Sequence, residues 1–276
     1  MQGLPNSIYP ELASILPKFV GGVQAALGSN FIGAYLVGSL ATGDFDLDSD
    51  VDFLVVTKVE LCSAEVKSLE ATHRHIHALG NYPAEHLEGS YISAGLLDRP
   101  DMVGLEPLWY VDNGSTSLER SVHDNRWHVR WILRERGIVL AGPDPKTLLP
   151  SILSEALRRE ASSAVHEIAG RFLAEVDHAV GWFNTRFGQS FTVLTCCRML
   201  QTLSSGTVES KLSSVKWAER SLESQWSGLI RAAWLEREGV RFGEKVLQPA
   251  PTNMIHETAN FVGYAVTFAE TFRAKS

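Results

Sequence analysis

A mixed α/β part followed by an all-α bundle is the architecture this sequence predicts, and three observations predict it. Between Phe31 and about Leu140, short runs rich in branched and aromatic residues alternate with helical stretches. After about Ser151, apolar residues recur at steps of three and four with no strand pattern. The two parts meet at "AGPDPKTLLPS" (141–151), where prolines at 143, 145 and 150 make a natural boundary.

In chain order, "FIGAYLV" (31–37) and "VDFLVVT" (51–57) are short enough, and rich enough in branched and aromatic residues, to be strands. "AEVKSLEATHRHIHALG" (64–80) is expected to be a helix ended by Gly80, and "HLEGSYI" (86–92) a third strand despite Gly89. In the second part, Val165, Ile168, Phe172, Val176, Ala179 and Phe183 mark one face of a helix. A second helix runs from about Phe191 to Ser205 and stops at Gly206. Val215, Ala218, Leu222, Trp226, Leu229 and Ala233 mark a third, and Val262, Ala265, Ala269 and Phe272 a fourth. Four helices without strands predict a bundle.

Composition narrows the classes. The chain has 276 residues, 45% of them hydrophobic, enough for one large domain or two ordinary ones. A net charge of −7 without a basic stripe argues against a nucleic-acid partner. No window reaches the roughly 18 apolar residues of a membrane span, and the N-terminus lacks a basic region followed by an apolar one. Cys62, Cys196 and Cys197 make no disulfide framework and suit a reducing compartment, with Cys196 and Cys197 read as helix core. The expectation is a soluble, cytoplasmic monomer with no membrane partner.

The chemistry concentrates in "LVGSLATGDFDLDSDVD" (36–52). Asp50 and Asp52 flank Val51 at the start of a strand, so both carboxylates project to one face while Val51 and Phe53 turn to the core. Two carboxylates side by side repel unless a cation sits between them. Mg²⁺ suits that demand, since it uses one or two carboxylates plus substrate phosphates. About ten residues earlier, Gly38 lets the backbone approach a phosphate, and Ser39 offers it a hydroxyl and an N–H. The stretch thus supplies a metal clamp and a phosphate cradle, while Asp44, Asp46 and Asp48 are read as loop. His73, His75 and His77 have no further ligands at a clear spacing and are read as a solvated helix face. Trp109, Trp182 and Trp234 are candidates for lining a cleft.

A hydrophobic strand, Gly38-Ser39, and then Asp50-x-Asp52 inside a second strand resemble the nucleotidyltransferase superfamily related to DNA polymerase β. "RERGIVLAGPDPKTLLP" (134–150), "VLTCCR" (193–198) and "GTVESKLSSVKWAERSL" (206–222) resemble the aminoglycoside 3''- and 9-adenylyltransferases, so the likeness spans most of the chain in order. It implies an α+β nucleotidyltransferase domain with a mixed sheet over 1–145 and an all-α domain over 151–276. It also implies transfer of AMP from ATP to a hydroxyl of a small acceptor, an aminoglycoside such as streptomycin or spectinomycin, with Mg²⁺ as cofactor. Under it Asp50 and Asp52 hold the metal, and Glu88, 36 residues after Asp52, is general base or a further metal ligand. Gly38, Ser39, Ser49, Arg198 and Lys211 would contact the nucleotide, and Trp109, Trp182 and Asp177 the acceptor. Two departures stand out. Gly188 and Gln189 occupy positions where streptomycin-modifying relatives carry carboxylates, and Trp234 takes the place of a nucleotide-holding tyrosine. The alternatives are the same chemistry on a lincosamide, metabolite or protein, or a regulatory or antitoxin-type nucleotide-binding module without catalysis.

Overall fold

A computed structural model of the protein describes residues 10–46, 49–176, 181–239 and 248–273. The chain divides into two compact units, the first ending at Ile152 and the second running from Leu153, with the short stretch 46–48 counted in the second.

The first unit is built on a mixed six-stranded sheet of order β5-β4-β3-β2-β1-β6. Its strands are β1 (Phe31–Leu36), β2 (Val51–Thr57), β3 (Leu87–Ser93), β4 (Leu108–Val111), β5 (Glu119–Ser121) and β6 (Ile138–Ala141). Only β2 and β3 run parallel; they are joined through the helix α3 (Ser63–His77), while every other neighbouring pair is antiparallel. Alternation along β2 sends Val51, Phe53 and Val55 to one face. There they pack with Leu12, Ile15, Leu16, Phe19 and Val23 of α1 (Pro10–Leu27) and with Val66, Leu69 and Ile76 of α3. These helical positions recur every three or four residues, so each helix presents one apolar stripe to the sheet.

His73 lies on that stripe and not on a solvated face. It is buried, its Nε2 is 2.8 Å from the Tyr91 hydroxyl, and its ring stacks on Phe53 at 5.7 Å. The sequence reading was wrong here because three histidines in five residues looked like a polar face. Val66, Leu69, His73 and Ile76 nevertheless keep the apolar period.

The short helix α2 (Gly38–Thr42) meets β2 and α6 (Trp127–Arg136), α4 (Tyr82–Glu85) meets α1 and α3, and α5 (Ala94–Leu97) meets β3. Arg130 of α6 is fully buried and donates to the carbonyls of Leu97 at 2.9 Å and Leu96 at 3.0 Å, and to Asn125 Oδ1 at 3.1 Å. Asn125 in turn donates to the carbonyls of Met102 and Glu106. Paired in this way, a buried guanidinium is tolerable, and it fixes the segment that leads into β4.

The described helices of the second unit are α7 (Ser154–Glu175), α8 (Arg186–Ser205), α9 (Lys211–Ser221), α10 (Ser227–Gly239) and α11 (Thr252–Arg273). Helix α8 is central and contacts the other four. It starts at the cap Thr185, whose Oγ1 accepts the Gly188 N–H, and stops at Gly206, whose φ of 71° ends it. Cys196 and Cys197 are buried in it, as expected of helix core.

Two sequence-predicted helices are shorter than their apolar period. The first ends at Glu175, and Phe183 belongs to a separate 3-10 turn, Trp182–Asn184; Ala179 lies outside the described residues. The run from Val215 to Ala233 is two helices, because Leu222 is extended (φ −90°, ψ 170°) and cannot continue the ladder. Val215, Ala218, Leu222, Leu229 and Ala233 all remain in one core, so periodicity alone could not reveal the break. Among the described residues, no helix is long and apolar enough to cross a membrane.

Candidate active site

The acidic residues are placed by the ends of β2 and β3. Val51 and Phe53 are fully buried, which leaves Asp50 and Asp52 on the other face, half-buried. Glu88 stands opposite Asp52 in the parallel register of β2 and β3, so these two carboxylates share a face. A Cβ on Gly89 would fall 2.1 Å from the Phe53 carbonyl oxygen, so the glycine that weakened β3 as a strand prediction is what lets Glu88 sit beside the pair.

Gly38 closes the same spot from β1. The Val37 N–H donates to the Asp52 carbonyl at 3.0 Å, and the chain then turns with Gly38 at φ 55°. A Cβ there would lie 1.8 Å from Asp52 Oδ2, so conformation and space both demand glycine. Ser39 follows, and it does not cap α2, whose N-cap is Val37. Its Oγ is buried and makes no hydrogen bond among the described residues. An unsatisfied buried hydroxyl costs about 1–3 kcal/mol, a cost that a ligand oxygen would remove. Ser49 is buried immediately before Asp50.

Strand β4 and the turn after it supply partners that sequence reasoning missed. The Tyr110 hydroxyl is 2.5 Å from Glu88 Oε1 and 2.9 Å from Asp112 Oδ1. Asn113 Nδ2 donates to Asp50 Oδ1 at 2.5 Å. His123 Nε2 lies 3.5 Å from the same Glu88 oxygen. Two residues along β3, Ser90 donates to Asp124 Oδ2 at 2.7 Å. Burial raises the Glu88 pKa above the usual carboxylate range; the Tyr110 hydrogen bond opposes this and the charge of Asp50 adds to it. Burial likewise raises Asp124. The signal for β4 was present as "LWYV" followed by the turn dipeptide Asn113-Gly114, but four residues are too few to establish a period of two.

The donor set fits a hard divalent cation that brings substrate oxygens with it. Among the described residues, no three Asp, Glu, His or Cys side chains form a ready metal cage. Asp50 and Asp52 supply two carboxylates beside the orphaned Ser39 hydroxyl, the composition Mg²⁺ favours when phosphates complete its shell.

The other sequence candidates fall elsewhere. Trp109 pairs with Tyr91, on the face opposite Tyr110, and carries the Arg120 guanidinium 5.1 Å from its ring centroid; the fold does not bring it to the carboxylates. In the second unit, Trp182 is 36% exposed and touches Phe187 and Phe191, Arg198 is half-buried on α8, and Lys211 opens α9 directly after its cap Ser210. Trp234 packs against the helical core. Asp177 lies outside the described residues.

Comparison with known proteins follows these two units. Residues 23–86 match the family described as "Nucleotidyltransferase domain", and residues 151–262 the family described as "Aminoglycoside adenylyltransferase, C-terminal domain". Spectinomycin 9-adenylyltransferases from Staphylococcus aureus strains Mu50 and N315 are each 26% identical over 250 residues, covering 87% of this chain and 88% of theirs. The crystal structure of spectinomycin adenyltransferase AAD(9) from Enterococcus faecialis, with ATP and spectinomycin, shares the fold. Its TM-score is 0.63 at 18% identity, covering 92% of this chain and 99% of that one. A nucleotidyltransferase match in the first unit, an aminoglycoside adenylyltransferase match in the second and relatives similar over most of the chain together support a member of the aminoglycoside adenylyltransferase family.

Proposed function

We propose that the protein moves AMP from ATP onto a hydroxyl of an aminoglycoside-type acceptor, with spectinomycin first among the candidates. The observation that carries this reading is the convergence of Asp50, Asp52 and Glu88 on one sheet face beside a buried Ser39 hydroxyl with no partner among the described residues. Spectinomycin is put first because two curated relatives at 26% identity are named for it. The departures at positions 188 and 189 agree. Gln189 is buried with its amide donating to the Phe183 carbonyl at 2.5 Å, and a Cβ on Gly188 would meet the Trp182 carbonyl oxygen at 2.2 Å, so neither position offers the carboxylate that streptomycin-modifying relatives carry there.

In the reaction the acceptor O–H gives its proton to Glu88, and its oxygen bonds to the α-phosphorus of ATP. The bond from that phosphorus to the bridging oxygen breaks, and pyrophosphate leaves with the electron pair. Asp50 and Asp52 would hold Mg²⁺, which when bound would neutralise phosphate charge. Glu88 suits the base role because burial and Asp50 raise its proton affinity, while Tyr110 keeps an oxygen oriented. Ser39 and Ser49 would hold phosphate oxygens against the Gly38 turn. Arg198 and Lys211 are proposed as the cationic contacts to the triphosphate, and Trp182 and Asp177 as acceptor contacts. The two-domain division at 1–145 and 151–276 is proposed as the functional one, in a cytoplasmic monomer.

The test is pyrophosphate release from Mg²⁺-ATP with spectinomycin, streptomycin and further aminoglycosides, beside Asp50→Asn. Release with spectinomycin that disappears in the variant is the expected result. No release with any aminoglycoside would overturn the reading.

A further inference from the structure

We propose that Asn113 is a positioning residue for Asp50, with its side-chain amide locked from behind by His86 so that one face of the carboxylate is fixed before any metal arrives. The proposal deepens the reading above and rests on Asp50 being a metal carboxylate.

The geometry is a three-member chain. Asn113 Nδ2 donates to Asp50 Oδ1 at 2.5 Å, and Asn113 Oδ1 is 2.5 Å from His86 Nδ1. A carboxylate accepts only, so the amide must turn its NH₂ to Asp50 and its oxygen to His86. That orientation requires a hydrogen on His86 Nδ1, which donates to the amide oxygen. His86 is itself held in place. It follows the short helix Tyr82–Glu85, its carbonyl accepts the Val51 N–H at 2.9 Å, and its ring lies 3.9 Å from that of Tyr82. The histidine is therefore anchored by its backbone to the residue between the two aspartates, and by its ring to the amide that grips the first of them.

The turn carrying Asn113 does not need this side chain. It is closed by Ser115 N–H to the Asp112 carbonyl at 2.8 Å and by Asn113 N–H to Asp112 Oδ1 at 3.0 Å. An amide is also the right kind of partner. Lysine or arginine would neutralise Asp50 and compete with a divalent cation, whereas asparagine orients one oxygen and leaves the full charge. The position lies outside the Gly-Ser and Asp-x-Asp pattern, 63 residues beyond Asp50.

The experiment titrates Mn²⁺, with and without ATP, into the whole chain and into Asn113→Ala, His86→Phe and the double variant. Free Mn²⁺ is followed by electron paramagnetic resonance, and thermal melting is recorded alongside. Asn113→Ala should weaken Mn²⁺ binding about 10-fold, the lower end for losing a residue that orients a ligand, with little change in melting. His86→Phe should lose less, and the double variant should be no weaker than Asn113→Ala, since His86 acts through the amide. If Asn113→Ala misfolds, Asn113→Leu, which keeps the size of the side chain and removes the donor without adding charge, should fold and bind Mn²⁺ about 10-fold more weakly. Unchanged affinity in the single variants, or losses that add in the double variant, overturns the proposal. A parent protein that binds no Mn²⁺ even with ATP overturns the metal assignment of the proposed function, and this inference with it.

Discussion

The two faces of the central sheet treat buried polar groups in opposite ways. On the face packed by α1 and α3, His73 and Tyr91 satisfy each other at 2.8 Å inside a ring of aromatic side chains. On the other face, at the ends of β2 and β3, Asp50, Asp52 and Glu88 bring three carboxylates together, and Ser39 has a buried hydroxyl with no partner among the described residues. The first arrangement is a matched pair, and the second gathers like charges beside an unfilled hydroxyl. A polar group that the fold satisfies reads as structure, and like charges gathered beside an unfilled hydroxyl read as a site.

Removing a charge from the acidic face gives the largest expected effect. Asp50→Asn or Asp52→Asn should lower turnover at least about 100-fold, or roughly 2.7 kcal/mol of transition-state stabilisation, with the fold intact by circular dichroism. Turnover within threefold of the parent would place the chemistry elsewhere.

The face that carries the matched pair should respond to acid. Burial lowers His73 from its ordinary 6.5 to about 4, so the folded state holds it neutral while the unfolded chain protonates it. Its contribution to stability is whole above pH 6.5 and is lost as pH falls from there towards 4, on the order of a few kcal/mol. Denaturant melts across that window should show the loss, and His73→Phe should flatten it. A parent protein with level stability between pH 6.5 and 4 would contradict the buried neutral histidine.

Glu88 should behave with the reverse sign. Its raised pKa means that the folded state binds its proton more tightly, so its contribution is favourable at low pH and is lost as pH rises through the folded-state value. At neutral pH Glu88→Gln should therefore raise thermal stability, by an amount within the ~0.5–2 kcal/mol common for relieving a functional residue, while turnover falls. A variant both inactive and less stable would make Glu88 structural.

The smallest effect is the most specific. Tyr110→Phe removes a hydrogen bond that favours ionised Glu88, so the acidic limb of the kcat/KM profile should move to higher pH. An unmoved limb would separate Tyr110 from the proton chemistry.

What the sequence made legible follows from how locally each feature is encoded. The strand, Gly-Ser and Asp-x-Asp run is one contiguous stretch whose side-chain alternation determines its geometry, and the helical core keeps its three-and-four spacing through every break. Strands alternating with helices and then a run of helices were readable for the same reason, whereas the mixed sheet was an implication of the family resemblance. Tyr110, Asp112 and Asn113 were not, because they reach the acidic face through strand order, with β4 beside β3, and no local pattern records which strands are neighbours. Trp109 was suspected and Tyr110 was not, yet one residue along a strand is enough to exchange faces.

The turn from Asp112 to Ser115 has a practical consequence for anyone altering the chain. Loops between antiparallel strands are where insertions, tags and circular breaks are ordinarily tolerated. Here the first half of one such loop is coupled through Asn113 to the carboxylate of Asp50, just before β2. The second half, Thr116 and Ser117, is tied among the described residues only to the loop itself, Ser117 N–H donating to Ser115 Oγ at 3.2 Å, before it enters β5. An insertion between Asp112 and Ser115 should detune the chemistry without unfolding the sheet, and the same insertion after Ser115 should disturb the chemistry less. Length variation in this loop therefore has a direction, with the strand-proximal side fixed and the distal side freer to drift.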